Sequence, residues 1–389
     1  MNVNRQISAL SNAISSNKSK IGFFIGAGCP TSIHIGSNQE QTPLTPNIAG
    51  LTESVISTLK EEGIEKITSR IKKTDGTPIT IEDILSHIRD LLKVINDSSI
   101  DEIDAKLLDT LEKRICSEIT KEVSKALPVG QCSYCDFAAW IKARKQAQSL
   151  EIFTPNYDLL LEQTLERYTI PYFDGFIGSC QAFFDLHSIE NDEFPARWVK
   201  LWKLHGSINW WRDENGSGAI YRGGEDGKKE NVKQMIYPSH LKFEQSRRMP
   251  FLAMQDRLSN FLSHGQTVLI ACGYSFADEH LNGIITDKLS ANPNAICFGL
   301  LYDDLEKYPK AKELASKRPN LTLLAKDNCI VGTQKHSWEK DDSETKPVFI
   351  SDTQPSGNVI CKIGDFDLFA KFLVSQIGIS SPLEEDPAQ

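Results

Sequence analysis

The segment Ile21-Gly22-Phe23-Phe24-Ile25 is followed directly by Gly26-Ala27-Gly28 and, one residue later, by Pro30. Five consecutive residues without a polar side chain predict a strand that is buried on both faces. The glycines after the strand predict a tight turn whose backbone can approach a phosphate closely, since successive N–H groups attract anions. The segment is shorter than the full dinucleotide-binding glycine motif, so a tight turn without a ligand is an equally good interpretation.

The same pattern of strand, loop and helix returns after residue 148. This alternation predicts an α/β protein with a Rossmann-like, doubly wound parallel sheet and right-handed crossovers. The stretch from Gly175 to Arg197 shows no regular pattern. The predicted strands are Ser149 to Phe153, Trp198 to Leu204, Thr267 to Cys272, Ala295 to Leu301 and Leu321 to Ala325, and the predicted helices include Val3 to Ser16, Asp158 to Arg167, Pro250 to Leu262, Asp278 to Leu289 and Asp365 to Gln376.

Between Leu51 and Gln148 the apolar residues repeat at every third and fourth position, which is typical of helices. We therefore predict a helical subdomain at residues 50–148, inserted into a discontinuous Rossmann domain of residues 1–49 and 149–379. Thr80 and Asp83 have the spacing of a capped helix start. Residues 380–389 are polar, and we predict a disordered tail there.

The composition excludes some classes of function. With 389 residues, 40% of them apolar, the chain can bury a sizeable core, and its net charge of -9 argues against direct nucleic-acid binding. We interpret the cations between Lys200 and Arg212 as solvated surface. No secretory signal and no apolar run of membrane-spanning length is visible, so we expect a soluble, cytoplasmic protein without membrane association.

The chain has nine cysteines, and Cys132 and Cys135 form a single CxxC. A structural zinc site normally needs a second such pair nearby, and the next cysteine, Cys180, stands alone. We therefore expect reduced thiols and no bound metal.

Three further segments lie where predicted strands end. They are Phe153-Thr154-Pro155-Asn156-Tyr157-Asp158, Lys203-Leu204-His205-Gly206-Ser207 and Gly273-Tyr274-Ser275-Phe276-Ala277-Asp278. Loops at the carboxyl ends of parallel strands converge on one crevice, so these segments and the first glycine turn predict a single nucleotide site. Simpler interpretations are helix caps at the Asn156 segment and at Asp278, and a structural role for His205, although an imidazole in a crevice is also a candidate base near neutral pH.

In this order, the four segments resemble the sirtuin-like NAD-binding family. Gly26-Ala27-Gly28 is similar to its opening glycine motif, Thr154-Pro155-Asn156-Tyr157-Asp158 to its Thr-x-Asn-x-Asp motif, and Leu204-His205-Gly206-Ser207 to the segment with its catalytic histidine. Gly273-Tyr274-Ser275 and the helix after Gly364 are similar to the prokaryotic branch. The resemblance covers most of the chain outside the helical insertion.

The chain departs from the protein-deacetylating sirtuins at two places. Leu44-Thr45-Pro46-Asn47 stands where they have Asp-Phe-Arg, and one CxxC stands before the Asn156 segment instead of two zinc pairs after the histidine. The resemblance therefore implies the branch that hydrolyses NAD in bacterial antiphage defence, with NAD as substrate. It further implies a HerA-type ATPase partner. Because a constitutive NADase would be toxic to its host, we also expect control by assembly, with a homo-oligomer whose contacts the helical insertion supplies. An NAD-dependent protein deacylase or ADP-ribosyltransferase and a non-catalytic NAD or ADP-ribose-binding module remain the alternatives.

The resemblance also implies roles for individual residues. Asn156 would orient water and the ribose hydroxyls, and His205 would act as the general base. The remaining candidates would bind the cofactor: Gly26, Ala27 and Gly28 at the pyrophosphate, Gly273 and Ser275 nearby, and Thr154 and Asp158 at the ribose or in support of the Asn156 loop.

Overall fold

A computed structural model gives the architecture of the chain. It describes residues 1–16, 18–36, 42–60, 63–73, 78–95, 103–144, 148–191, 193–213, 217–223, 231–235, 248–339, 351–353 and 359–377. The tail predicted at residues 380–389 lies outside these ranges.

Eighteen strands are present among the described residues, and they form one large sheet and three smaller ones. In chain order they are β1 (Lys20–Ile25), β2 (His34–Ile35), β3 (Thr42–Pro43), β4 (Leu150–Thr154), β5 (Tyr172–Phe173), β6 (Phe176–Ile177), β7 (Ala182–Phe184), β8 (Val199–Lys203), β9 (Gly206–Asp213), β10 (Ile220–Arg222), β11 (Asn231–Met235), β12 (Thr267–Cys272), β13 (Ala295–Leu300), β14 (Leu321–Leu324), β15 (Asn328–Val331), β16 (Gln334–Ser337), β17 (Ser351–Thr353) and β18 (Val359–Cys361).

The large sheet has nine strands in the order β16-β15-β14-β13-β12-β1-β4-β8-β5. All neighbours from β14 to β5 run parallel, and β15 and β16 add an antiparallel hairpin at one edge. The first strand is central: the chain moves from β1 to β4 on one side and later places β12 on the other. The strand order therefore reverses between β1 and β12, which is where such sheets bind ligands.

Helices cover both faces of this sheet, as the alternation of strands and helices predicts. Phe23 lies in one apolar cluster with residues of α1, α6, α7 and α12, and Phe24 lies in a second cluster with residues of α9, α10 and α11. The predicted doubly wound α/β fold is confirmed. The helices of the described residues are α1 (Val3–Ser15), α2 (Ile48–Thr58), α3 (Ile64–Thr68), α4 (Ile81–Val94), α5 (Ala105–Val123), α6 (Ser133–Ala143), α7 (Leu160–Arg167), α8 (Leu186–Asn191), α9 (Phe251–Ser263), α10 (Glu279–Ala291), α11 (Pro309–Lys317) and α12 (Phe366–Ser375).

The helical segment between β3 and β4 contributes to two different cores. Helices α2 to α5 share a third apolar cluster, which extends from Leu51 to Ile119 and is contacted by Tyr157. The capping box at Thr80 and Asp83, at the start of α4, is present as predicted. Helix α6 lies within the predicted insertion of residues 50–148, but its apolar residues pack in the cluster of the large sheet. In packing terms α6 is the crossover helix that leads into β4.

A second sheet of five strands, in the order β11-β9-β10-β7-β6, contains antiparallel pairs only. Its strand β9 follows β8 directly and begins at Gly206, next to the candidate base His205. None of the helices in the described ranges is long and apolar enough to cross a membrane.

Candidate active site

A cavity of about 810 Å³ opens where the strand order of the large sheet reverses. This volume is near the upper end of the range of about 300–1,000 Å³ found for small-molecule sites. The four segments singled out in the sequence all reach it, because β1, β4, β8 and β12 end at the same edge. Seven of the nine candidate residues line the cavity: Ala27, Gly28, Asn156, Asp158, His205, Gly273 and Ser275.

The glycines after β1 and β12 pack backbone against backbone. A Cβ atom on Gly26 would lie 2.3 Å from the carbonyl oxygen of Gly273, and one on Gly273 would lie 2.5 Å from the amide nitrogen of Cys29. Gly273 also has a φ of +64°, which favours glycine. The fold therefore requires glycine at these positions whether or not a ligand binds.

The amides of this turn are used partly inside the protein. Gly26 N–H donates to the Cys272 carbonyl at 2.9 Å, and Gly28 N–H donates to the Gly273 carbonyl at 2.8 Å. These two donors are therefore not offered to a phosphate in this structure. Ala27 and Gly28 line the cavity and leave this wall without bulky side chains.

Asn156 is held in place by β1 and β4. Its Nδ2 donates to the Gly26 carbonyl at 3.1 Å, and its backbone N–H donates to Thr154 Oγ1 at 3.0 Å. Thr154 Oγ1 in turn donates to the Ile25 carbonyl at 2.7 Å. Thr154 is thus buried beneath the cavity as a positioning residue. The amide of Asn156 lines the cavity with its orientation fixed by the Gly26 carbonyl.

His205 contacts the carboxylate of Asp278. The His205 Nε2 and Asp278 Oδ2 atoms are 3.5 Å apart, and both side chains are largely buried. Asp278 Oδ1 accepts a hydrogen bond from Leu281 N–H at 3.1 Å, so this residue is also the N-cap of α10. The sequence predicts the cap and misses the contact with the histidine, because the two segments meet only in the folded sheet.

The loop that carries Asp278 is fixed by Asn282 on α10. Asn282 Oδ1 accepts from the Tyr274 hydroxyl at 2.8 Å, and its Nδ2 donates to the Phe276 carbonyl at 2.7 Å. Phe276 has a φ of +57°, uncommon for a residue with a side chain, and its ring is buried. These contacts hold the Asp278 carboxylate at the histidine.

A buried lysine joins the Asn156 and His205 segments. Lys203 Nζ donates to Glu162 Oε1 at 2.8 Å, to Ser207 Oγ at 3.0 Å and to the Asp158 carbonyl. The side chain of Lys203 is 1% exposed. A single cation thus connects the end of β8, the start of β9, the Asp158 loop and α7.

This position corrects the interpretation of the cations between Lys200 and Arg212 as solvated surface. Lys200 and Lys203 are both buried, because β8 is an inner strand covered on both faces. Lys200 Nζ lies 3.7 Å from Glu151 Oε1, and the two residues are direct partners in the β4–β8 register. Each buried cation thus has a carboxylate partner.

The Asp158 carboxyl lies beside this network. Burial raises the pKa of Asp158, and the charge of Lys203 opposes that effect. Its Oδ1 accepts a hydrogen bond from Leu160 N–H at 2.9 Å, which supports the start of α7. Asp158 therefore stabilises the loop as well as lining the cavity.

Two other parts of the chain form the remaining walls of the cavity. Residues of the helical segment form one wall: Asn47, Ile48, Leu51, Glu82 and Val123. The segment between β13 and α11 and the start of α12 form the other wall, with Tyr302, Tyr308, Gly364 and Phe366. Tyr302 is 63% exposed, so an aromatic face is available at the rim. The cavity thus offers an apolar, aromatic end and a polar end at His205 and Asn156.

The cavity floor also contacts the start of α6. Ser32, in the turn after β1, lies with its Oγ 2.7 Å from Ser133 Oγ. Tyr134 packs its ring at 5.2 Å, edge to face, against Phe366. Within the described ranges, no group of three or more His, Cys, Asp or Glu residues comes together as a metal site.

Several solved structures of Sir2 enzymes share general features with this chain at low similarity. One from a study of the mechanism and regulation of Sir2 enzymes has 10% sequence identity and a TM-score of 0.38, covering 79% of this chain and 89% of that chain. A Sir2 homologue in complex with NAD has 10% identity and a TM-score of 0.36, over 76% and 82%. A mutant Sir2 homologue in complex with ADP-ribose has 10% identity and a TM-score of 0.38, over 96% and 98%.

A comparison with curated protein sequences gives no significant match. A family model described as a SIR2-like domain matches residues 150–322, a little under half of the chain. The matched stretch contains Asn156, His205 and Asp278, which line the polar end of the cavity, and the buried Lys203 that joins the Asn156 and His205 segments.

Proposed function

We propose that this protein is an NAD glycohydrolase that cleaves the bond between nicotinamide and ribose. The observation that carries the proposal is the pairing of His205 with Asp278 beside Asn156, in a cavity of nucleotide size. A histidine paired with a carboxylate is a suitable general base, since the carboxylate stabilises the imidazolium that forms. The match of residues 150–322 to a SIR2-like domain supports NAD as the substrate.

The leaving group of this reaction needs no protonation by the enzyme. When the glycosidic bond breaks, its electron pair goes to the positively charged nicotinamide nitrogen, which leaves as a neutral base. The ribose carbon becomes oxocarbenium-like, and a water molecule attacks it. His205 would accept the proton of this water, and Asn156 would orient the water or a ribose hydroxyl. The products are nicotinamide, ADP-ribose and one proton.

The other candidate residues would shape the binding site and hold its loops without taking part in bond cleavage. Ala27, Gly28, Gly273 and Ser275 would border the dinucleotide, while Gly26 and Thr154 hold the wall from beneath. Asp158, with a pKa raised by burial, would hold the Asn156 loop.

We further propose that the activity serves bacterial antiphage defence by depleting NAD, under control of self-assembly or of a HerA-type ATPase partner. The motif resemblance supports this role, and an unregulated NADase would harm its host. Light scattering at micromolar concentration, with and without the ATPase, measures assembly directly. A strict monomer under both conditions would contradict control by assembly.

The test of the reaction is incubation of the purified chain with NAD, followed by chromatography of nicotinamide and ADP-ribose. We expect both products in equal amounts from the wild type and none from His205→Ala or Asn156→Ala. His264→Ala removes an exposed histidine at the end of α9 and serves as the matched control. Full activity in either site variant would refute the site assignment.

Other outcomes identify the alternatives. Nicotinamide release that requires an acylated peptide would indicate a deacylase, and ADP-ribose attached to a protein would indicate a transferase. Tight binding of NAD without any product would indicate a regulatory binding module.

A further inference from the structure

Two cysteines lie at the first turn of α6, outside the cavity. Cys132 is the N-cap residue of this helix, and Cys135 is one turn further along. Their Sγ atoms are 3.2 Å apart. A disulfide bond has a length of about 2.0 Å, so the two sulfur atoms need to approach by only about 1 Å to form one.

The surroundings of the pair favour a thiolate. The pKa of Cys135 is lowered to about 6, first because Cys132 donates a hydrogen bond to it, and further through Tyr168 and Arg167. The Arg167 Nη1 atom lies 3.8 Å from Cys135 Sγ. The pKa of Cys132 is raised by the same hydrogen bond and by burial. At neutral pH the two sulfurs therefore share one proton, which is the charge state that thiol–disulfide exchange requires.

Access to the two sulfurs differs. Cys132 is half-buried, whereas Cys135 is 2% exposed. The preceding loop is open to solvent, since Val129 is 99% exposed. A reagent from solution therefore meets Cys132 first, and Cys135 is placed behind it to attack the product.

Simpler roles explain less of this arrangement. A structural metal site would need further ligands, and within the described ranges no suitable cluster is present. Two ordinary packing thiols would not need a guanidinium, yet Arg167 reaches Cys135 while it also donates to the carbonyls of Leu127 and Pro128.

We propose that Cys132 and Cys135 form a redox-active dithiol that low-molecular-weight disulfides convert into an intramolecular disulfide. In the first step the shared proton moves from Cys132 to Cys135, and the resulting Cys132 thiolate attacks one sulfur of oxidised glutathione. A mixed disulfide forms, and one glutathione thiolate leaves. In the second step Cys135 gives this proton to the glutathione thiolate that has left, and the Cys135 thiolate then attacks the sulfur of Cys132 and releases the second glutathione as a thiolate. The two cysteines lose two electrons and their one shared proton, and oxidised glutathione is reduced to two molecules of the thiol once the second glutathione thiolate takes a proton from water.

The test uses the full-length, fully reduced protein exposed to oxidised glutathione. Samples are quenched with acid, alkylated and analysed by intact and peptide mass spectrometry. We expect the wild-type peptide that contains Cys132 and Cys135 to lose the mass of two hydrogen atoms, with both cysteines protected from alkylation and no glutathione attached to either. Dithiothreitol restores both thiols.

Variants separate the two steps. Cys135→Ser leaves the first step intact, so the reaction stops with one glutathione attached to Cys132. Cys180→Ser removes the exposed, solitary cysteine and is the matched control, which still forms the disulfide. Circular dichroism of the reduced variants checks that each is folded.

Two results would overturn the proposal, and both come from the wild type alone. One is a stable mixed disulfide at Cys132 that does not close. The other is protection of the Cys132–Cys135 pair that is no faster than glutathione attachment at Cys180.

Discussion

Replacement of Lys203 by methionine should destabilise the protein strongly. Methionine has a similar length but no charge, so Glu162 would keep a buried carboxylate without its cation. The Glu162 Oε1 atom would lose its 2.8 Å partner, and the Oε2 atom has no hydrogen-bond partner among the described residues. Removing one member of a buried ion pair costs about 3–5 kcal/mol, and this pair is nearly inaccessible to water.

Urea unfolding, followed by far-ultraviolet circular dichroism, measures the loss. The double variant Lys203→Met, Glu162→Gln removes both charges, and we expect it to recover about 2–3 kcal/mol of the loss, as coupled neighbours do. The control is Lys317→Met, which breaks a 2.7 Å pair with Glu313 on the exposed face of α11. Exposed pairs contribute about 0–1 kcal/mol, so this control isolates the effect of burial.

Unfolding of Lys203→Met at the same urea concentration as Lys317→Met would refute the effect of burial. A double variant whose loss of stability equals the sum of the losses of its two single variants would show that the two charges are not coupled.

Three further predictions concern the loop after β12 and the dithiol. Gly273→Ala should lower the free energy of unfolding, measured in urea, by more than about 2 kcal/mol, because alanine is strained at φ +64° and its Cβ would collide with backbone atoms. Gly283→Ala, where a Cβ on α10 meets no other atom, should raise the free energy of unfolding by about 0.5–1 kcal/mol. Asp278→Asn preserves the helix cap but removes the charge beside His205. We expect the rate of nicotinamide release to fall about 10²-fold while the free energy of unfolding stays almost unchanged, and an unaltered rate would exclude the His205–Asp278 pair from catalysis. Because the pKa of Cys135 is lowered to about 6, its thiolate absorbance should appear as the pH rises through about 6 and vanish below it, and Cys135→Ser should lack this step.

The inner strands of the large sheet, such as β1, β4, β8 and β12, were readable from the sequence because they are buried on both faces. Thr267 to Cys272 contains five consecutive apolar residues and is followed by Gly273, and the observed β12 has the same bounds. Strands of two residues, such as Phe176–Ile177, are too short to show an alternation of apolar and polar residues, so this edge of the five-stranded sheet could not be predicted from the sequence. The helical pattern of α6 likewise does not indicate which core the helix joins.

The polar contacts of the site were less accessible to prediction. The sequence places His205 and Asn156 at strand ends, and the structure brings both to one cavity. The partner of Lys203 is 41 residues away in the chain, and nothing local marks it. A signal was nevertheless present: a lysine between apolar residues of an inner strand must be paired with an acid, so its burial could have been inferred from Val199–Lys203.

The hydrogen bond between Ser32 and Ser133 has a thermodynamic consequence. Ser32 lines the cavity, and Ser133 is the residue after Cys132, so the proposed ligand and the proposed disulfide would act at the two ends of one contact. Any coupling that passes through this contact is reciprocal. If disulfide formation weakens ligand binding by a given factor, ligand binding shifts the equilibrium with glutathione toward the dithiol by the same factor. A redox titration with and without ligand and a binding titration in each redox state must then give the same coupling free energy.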